Sequence, residues 1–451
     1  MKLLLTWPRA SLGALVLLSG CAAVPIESAR RATAVLLQPA LGKSAESLTS
    51  TQLTTDTELN SLLATPLTAE AAVRVALLRN PAVQIEYAQL GLAGADVFDA
   101  SRIANPSVGL SILWAERRHG GRKVDGGVTL GLTDLLWLRS RRASAGADFK
   151  AAQQRVAAAI FNLALDVQAS WIDALAAKQR LAAREQIAEG ARLAADLTRQ
   201  YLAAGNTDAL SLALASAAAS EAAIAVHTVT REAIRAQAQL RQLLGLAASD
   251  PKMSLPTGLP SPLNAALQPD ALRTTARAQR LDLAAAQNTI GALERRLAAT
   301  RRYRWLGYSD VGAIGEREAG GISRRGVAAT IALPLFQQGQ GALARATAQL
   351  AQARARARQI EVAIDSELTS QREQMDQAQA QYTLYREQLI PQREAAVARF
   401  GEKVNFMLVG SFELLTAKQQ EYAAYEGSLE ALHEYWQARL ALARAIGGPL
   451  P

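Results

Sequence analysis

Cysteine is almost absent: Cys21 is the one cysteine among 451 residues. No intramolecular disulfide is available, so the fold must hold without covalent staples. Histidine is nearly as scarce. His119, His227 and His433 lie far apart and share no ligand spacing, so neither a metal site nor any cofactor is expected. Ser, Asp and His form no nucleophile motif, and "GQGALA" reads as a strand-to-helix turn rather than a phosphate loop, so no catalysis is expected. Beyond the first twenty residues no stretch approaches 18 uninterrupted apolar residues, and no transmembrane helix is expected. Aromatics are only 5% of the chain. Proline is missing throughout 107–250, between Pro106 and Pro251. Because proline costs about 3 kcal/mol inside a helix, that gap permits very long helices.

What is present begins with "MKLLLTWPRASLGALVLLSGC". Lys2 and Arg9 precede a largely apolar run at 10–18 and then small residues, the pattern of a secretory signal that is too short to span a membrane stably. Leu18-Ser19-Gly20-Cys21 resembles the bacterial lipobox, whose cysteine is diacylated, cleaved before, and acylated again on its new N-terminus. Each buried methylene adds about 0.8 kcal/mol of membrane affinity, so several chains hold where one does not. Ala22, in place of Asp, resembles outer-membrane sorting. The alternative is a plain signal with an incidental cysteine. Net charge is +9, or +7 once Lys2 and Arg9 leave with the signal. The arginines are scattered through helical runs such as "AQARARARQIE", with no aromatic platform beside them, which reads as solvated helix faces and not as a nucleic-acid surface.

Half the residues are hydrophobic, and alanine carries much of that share, favouring long, closely packed helices. Residues 139–204 hold only Gly146 and Gly190 as weak breaks; as one helix they extend about 100 Å. Ile160, Leu163, Val167, Trp171 and Leu175 recur within them at spacings of three and four, a coiled-coil-like seam. The chain also repeats itself at an offset near 200 residues. "RNPAVQIEYAQLGLAGA" parallels "QRLDLAAAQNTIGALER", "GLTDLLWLRSRRASAGADFKAAQ" parallels "ALPLFQQGQGALARATAQLAQA", and "REQIAEGARLAADLTRQYLAAGNTDAL" parallels "REQLIPQREAAVARFGEKVNFMLVGSF". The expected organisation is a signal at 1–20, a lipid-anchored extension at 21–67, a first repeat at 68–248, a linker at 249–269 containing "SDPKMSLPTGLPSPL", and a second repeat at 270–448.

Each repeat breaks its helical pattern with two strand-like segments, at about 107–115 and 126–134 and at about 308–316 and 326–336. "ERRHGGRKVDGG" and "REAGGISRR" read as the hairpin loops between them. Val108, Leu110, Ile112, Val128, Leu130 and Leu132 alternate with Ser111, Thr129 and Thr133, so the first set is expected to face lipid and the second a lumen. Trp114, Trp137, Trp305 and Tyr308 fall at or near strand ends, where aromatics gather in membrane barrels. Four strands cannot close such a barrel, because the smallest need about eight, and lipid does not tolerate open edges. Several chains would have to pool their strands.

The whole pattern resembles the TolC-like outer-membrane efflux family. "LTAEAAVRVALLRNPAVQIEYAQLGLAGADVFDASRIANPSV" is similar to that family's opening helix, "YLAAGNTDAL" and "FMLVGSFELL" to its two helix-turn-helix tips, and "LPLFQQGQG" to its strand-to-helix passage. "LPLFQQGQGALARA" and "FMLVGSFELLTAKQ" resemble most the lipid-anchored branch that exports heavy metals or other cations; "GLTDLLWLRSRR" departs from the usual form and carries Arg139, Arg141 and Arg142 instead. The resemblance implies a mainly α fold with a membrane β-barrel portion. Three copies would form one 12-stranded barrel and an α-helical tunnel through the periplasm. It implies a passive export duct and not an enzyme, partnered by a periplasmic adaptor and a proton-driven inner-membrane pump, and set in outer-membrane lipid.

It also implies adaptor contact at the tips, through Gly205, Asn206, Thr207 and Asp208 in the first and Val409, Gly410, Ser411 and Phe412 in the second. On the residues alone these are helix caps, with Gly205 and Gly410 as breaks that favour positive φ. Asp208 and Glu413 are candidates for lining a closed aperture. Two rivals stay open: a duct for secreted proteins, and a lipid-anchored coiled-coil scaffold without a pore.

Overall fold

A computed structural model describes residues 26–48, 56–114, 122–263, 268–305, 307–318, 321–406 and 408–450. The signal segment, Cys21 and His119 lie outside them. Helix α1 (Ile26–Leu41), a 3-10 segment (Gly42–Leu48) and α2 (Asp56–Leu63) lead into two element series of the same order. The first is α3 (Ala69–Arg79), α4 (Pro81–Ala100), β1 (Ser107–Trp114), β2 (Arg122–Gly131), α5 (Leu132–Ala203) and α6 (Ala209–Leu243). The second is α7 (Pro269–Gln279), α8 (Leu281–Tyr303), β3 (Ser309–Arg317), β4 (Ser323–Ile331), α9 (Gln340–Leu384), a π-helical turn (Tyr385–Leu389), α10 (Ile390–Asn405) and α11 (Ser411–Ile446). The fold is thus mainly α, duplicated, with two strands per copy.

The chain divides into two compact units. The first holds Tyr87–Gln154 and Ala284–Ala357, and so contains the sheet. Its strands run in the order β1-β2-β3-β4, all antiparallel. Beside them Leu297, Ala346 and Leu350 of α8 and α9 make a small core with Ile290, Leu293 and Leu343. The second unit holds Thr33–Glu86, Arg155–Leu283 and Arg358–Pro451. Its α5 seam is buried at Ile160, Val167, Trp171 and Leu175, and Leu163 is half-buried. Leu272, Ile364, Leu368, Tyr435, Leu442 and Ile446 form one shared apolar cluster in it. Full burial of each such aliphatic side chain contributes about 1.5–3 kcal/mol. The proline-rich segment after Pro251 is fastened to these helices: Lys178 Nζ donates to Leu255 O at 2.7 Å, and Trp436 Nε1 donates to Pro260 O at 2.9 Å.

The duplication reaches single residues. Helices α3 and α7 each end at one extended residue, Asn80 or Arg280, before the next helix starts. Asn80 Nδ2 donates to Leu243 O at 2.7 Å, and Arg280 Nη1 to Ala445 O at 3.2 Å, so each joint satisfies a carbonyl orphaned at the C-terminus of α6 or α11. The residues that end those helices, Gly245 (φ +70°) and Gly447 (φ +80°), press against the same two joints. Arg280 also grips Asp282 through two bonds of 2.9 and 2.7 Å and Glu367 through one of 2.8 Å. Burial alone would raise the Asp282 carboxyl, but Arg280 holds it below the usual carboxylate range. The pair therefore stabilises the fold above that range, and its contribution is lost as pH falls through the lowered value.

The structure corrects two expectations. Strand β2 starts at Arg122 and ends at Gly131, and β4 runs from Ser323 to Ile331, so part of each glycine-rich "loop" is strand. Lys123 and Arg324 occupy strand positions because Glu316 pairs with them at 3.2 and 3.3 Å. Leu132 and Thr133 are not strand residues but open α5. Separately, α6 is by length and composition apolar enough to cross a membrane, and most of it is exposed. Serines and Glu221 interrupt its run, which hid it, while alanine keeps the average high.

These contacts predict unequal glycines. A Cβ on Gly245 would lie 2.7 Å from Arg79 O and 2.9 Å from Asn80 Cα, backbone atoms that cannot yield, whereas Gly205 (φ +75°) has open space. Gly205→Ala should cost about 1 kcal/mol of left-handed strain and Gly245→Ala about 3 kcal/mol, measured by denaturant unfolding of the helical circular-dichroism signal.

Candidate functional site

Two regions carry the predicted chemistry, the sheet in the first unit and the helix turns in the second. In an antiparallel pair, residues directly opposite share a face. Val108 pairs with Val128, Leu110 with Gly126 and Ile112 with Val124; Leu130 pairs with Val311, and Val311 with Ala329. One face of all four strands is therefore apolar through its middle, and it is exposed: Val327 is 86% accessible, Val108 76% and Leu110 72%. The opposite face carries Ser107, Ser111, Lys123, Asp125, Thr129, Asp310, Glu316 and Arg324. There Lys123 pairs with Glu316 at 3.2 Å and Asp125 at 3.5 Å, and Ser107 and Thr129 share a 2.7 Å hydroxyl bond. Leu113 and Ile314 are the large apolar residues on it.

Glycine permits close approach at two points of the polar face, where a Cβ at Gly312 would sit 2.4 Å from Val128 O and one at Gly127 3.1 Å from Ala313 O. On the apolar face Gly126 and Gly315 meet nothing nearer than 3.8 Å. The central strands β2 and β3 are thus tightest at these two polar-face positions. The strands are 8–10 residues long, the length of a tilted membrane strand. Trp114 ends β1 at the hairpin end; Trp305, Tyr308 and Phe336 stand exposed at the helix end, with Arg304 over the Trp305 ring at 4.6 Å and Trp137 5.4 Å from Tyr303. Thr133 Oγ1 donates to Gly307 O at 3.0 Å and accepts from Ser309 N–H at 2.9 Å, tying the start of α5 to that of β3.

At the first turn, Gly205 N–H bonds Leu202 O at 2.9 Å and Asn206 N–H bonds Tyr201 O at 2.8 Å, closing α5. Asp208 caps α6, accepting from Ser211 N–H at 2.7 Å, and that bond holds its carboxyl below the usual range. Thr207 lies between them. At the second turn, Leu408 N–H bonds Lys403 O at 2.9 Å, Val409 follows, Gly410 is the cap of α11, and Ser411 and Phe412 begin the helix. Gly410 has φ −78° and ψ 166°, so positive φ is not what it supplies; a cap has ordinary extended geometry. A Cβ there would meet only the flexible end of Glu413, at 2.9 Å. Sequence reasoning overlooked the apolar residues beside both turns: Leu210, Phe406 and Leu408 are 66%, 76% and 71% exposed.

The turns belong to neighbouring helical hairpins. Ala194, Tyr201 and Ala215 of the first and Val397, Leu414 and Tyr422 of the second line one groove of about 340 Å³. Further along, α5 and α11 are laced by Arg184–Glu426 at 2.7 Å, Arg180–Glu430 at 3.1 Å and Asp173–His433 at 2.7 Å. That contact accounts for His433, and His227 stands alone on α6. Among the described residues no cluster of three or more metal-ligating side chains occurs.

A sequence family described as outer membrane efflux protein matches residues 72–246, from α3 to the end of α6. Residues 72–246 are an outer membrane efflux protein domain. No curated protein sequence matches the chain. Solved efflux structures share its fold. CusC, studied for conformational changes accompanying folding and transmembrane channel formation, superposes with a TM-score of 0.72 at 15% identity, over 84% of this chain and 92% of its own. The outer membrane protein VceC of Vibrio cholerae gives 0.70 at 16% identity, over 85% and 97%. The outer membrane channel CmeC of Campylobacter jejuni gives 0.70 at 15%, over 88% and 89%. The overlap extends well beyond the matched efflux domain, so the second element series shares the TolC-like fold.

The close approach at Gly312 makes a direct prediction. Gly312→Ala should lower the yield of assembled, membrane-inserted protein severalfold, and Gly315→Ala should leave it unchanged, as read from outer-membrane fractions.

Proposed function

We propose that this chain is the passive outer-membrane duct of a tripartite efflux system. Three copies pool their strands into one 12-stranded barrel, polar face inward, and their long helices form a periplasmic tunnel. The observation that carries this reading is the sheet: an exposed apolar face, a polar face opposite it and, among the described residues, two unpaired edges on one four-stranded piece. Lipid demands that every backbone donor and acceptor be satisfied, which four strands alone cannot achieve. The exposed alanine-rich face of α6 is covered in the same assembly.

Energy comes from an inner-membrane, proton-driven pump, and a periplasmic adaptor joins it to the turns at Gly205–Asp208 and Val409–Phe412. The cargo is a small toxic compound or a metal ion, and the chain performs no catalysis. Asp208 and Glu413 face the aperture at the periplasmic end. Cys21 carries the acyl chains: Cys21→Ser should leave an unprocessed precursor that takes up no labelled fatty acid, and labelling of that variant would remove the anchor.

The duct itself is tested by inserting purified protein into planar bilayers. Steady single-channel conductance is expected. A membrane-associated coiled-coil scaffold would give none, and co-purification with a protein-secretion pump would favour the rival duct. Arginine at mid-membrane on a lipid face costs about 2–4 kcal/mol and much less in a lumen. Leu130→Arg should therefore abolish heat-resistant oligomers while Thr129→Arg preserves them; the reverse order would contradict the facing.

Adaptor docking is tested at the turns. Gly410→Trp should abolish efflux, read as drug or metal susceptibility, at normal oligomer level. Gly410→Ala should be nearly silent, because neither φ nor backbone contact opposes it.

A further inference from the structure

The apolar face of the sheet is not apolar to its end. Register places Arg122 on it opposite Trp114, Arg317 opposite Val124 and Ser323, and Arg325 opposite Gly315. These three arginines sit on β2, β3 and β4, and each is displaced by two residues from the in-register partner of the one before. Diagonal neighbours of this kind are about 7–8 Å apart at the backbone, so the three positions make one continuous diagonal row across three strands. The row lies toward the hairpins, at the end of the sheet opposite the helices.

The two faces treat their cations differently. On the polar face Lys123 pairs with Asp125 and Glu316, and Arg324 with Glu316 and Glu318. On the apolar face Arg122, Arg317 and Arg325 are exposed, and none forms an ion pair with a described residue. A guanidinium placed beside hydrocarbon needs an anion, because desolvating an unpaired charge is costly. Arginine's planar fork matches phosphate oxygens two at a time. Directly beneath the row, Gly126 and Gly315 leave the surface open, and Leu110, Val128, Val311 and Val327 continue it as an apolar wall. A polar head at the row with hydrocarbon along the wall is the shape of a lipid.

We infer that Arg122, Arg317 and Arg325 bind the phosphate groups of an anionic glycolipid headgroup in the leaflet reached by the hairpins, with its acyl chains lying on Leu110, Val128 and Val327. This rests on the barrel reading above, since only a membrane-inserted sheet brings the row to a headgroup layer. The ligand class is a phosphomonoester-bearing lipid, held by charge-assisted bonds from three strands.

The test uses full-length protein purified in detergent and native mass spectrometry. The probes are diphosphoryl lipid A and the same glycolipid stripped of phosphate. Wild-type protein should retain the diphosphoryl form at least about tenfold better, the effect of roughly one charge-assisted hydrogen bond. This comparison needs no variant. Arg122→Gln, Arg317→Gln and Arg325→Gln combined should erase the preference, whereas Lys123→Gln with Arg324→Gln on the opposite face should retain it. Equal retention of both lipids would overturn the inference, as would an unchanged preference in the triple variant or its loss in the opposite-face pair. Displacement by inorganic phosphate at equal phosphate concentration would overturn the assignment to a lipid. Wild-type conductance in bilayers of phosphatidylcholine separates the two readings. Conductance without lipid preference defeats this inference alone, and absence of conductance defeats the duct.

Discussion

Two unpaired strand edges dominate this chain. The outer edges of β1 and β4 each present a row of backbone N–H and C=O groups that no other strand among the described residues meets. In water such edges are a liability; in hydrocarbon each unsatisfied group costs several kcal/mol. The side chains make water an equally poor home, since Val108, Leu110 and Val327 stand almost bare on the apolar face. A sheet that suits neither solvent as a single copy is built to be completed by further copies.

The helical part follows from a second constraint, that of placing two long hairpins in register. Duplication does this with one device used twice. A single extended residue, Asn80 or Arg280, separates two helices, and a left-handed glycine at the end of a long returning helix, Gly245 or Gly447, presses against it. The carbonyl left open at each helix end is taken by the joint residue itself. Charged pairs between α5 and α11 then align the two copies, and both turns come to border one groove. The device tolerates divergence: Asn80 is neutral, whereas Arg280 adds carboxylates from Asp282 and Glu367.

Much of this was legible in the sequence, because long-range order here is written as periodicity. The proline-free 107–250, the offset near 200 and the alternation in "SVGLSILW" each map onto an element. Strand ends were less legible. "RKVDGG" has loop composition, yet it is paired on both sides with β1 and β3, and Lys123 reaches across to Glu316. The same blind spot hid the arginine row, although Arg122 and Val124 are in phase with Val128 and would have revealed it had the alternation been carried backward. Gly410 was misread because a glycine before a helix looks alike whether it ends one helix or caps the next. The apolar character of α6 was hidden by single serines, which break a run without lowering its average much.

The edges of β1 and β4 belong to each other across copies. The one native cysteine, Cys21, leaves the sheet free of thiols, so a cysteine introduced in β1, at Ser111, can be combined with one introduced in β4, at Ala328 and then at neighbouring positions in turn. Oxidation of intact outer membranes should produce covalent two-chain and three-chain species at one register, and nothing larger. Chains that remain uncrosslinked at every register, or products that grow past three copies, would contradict the account.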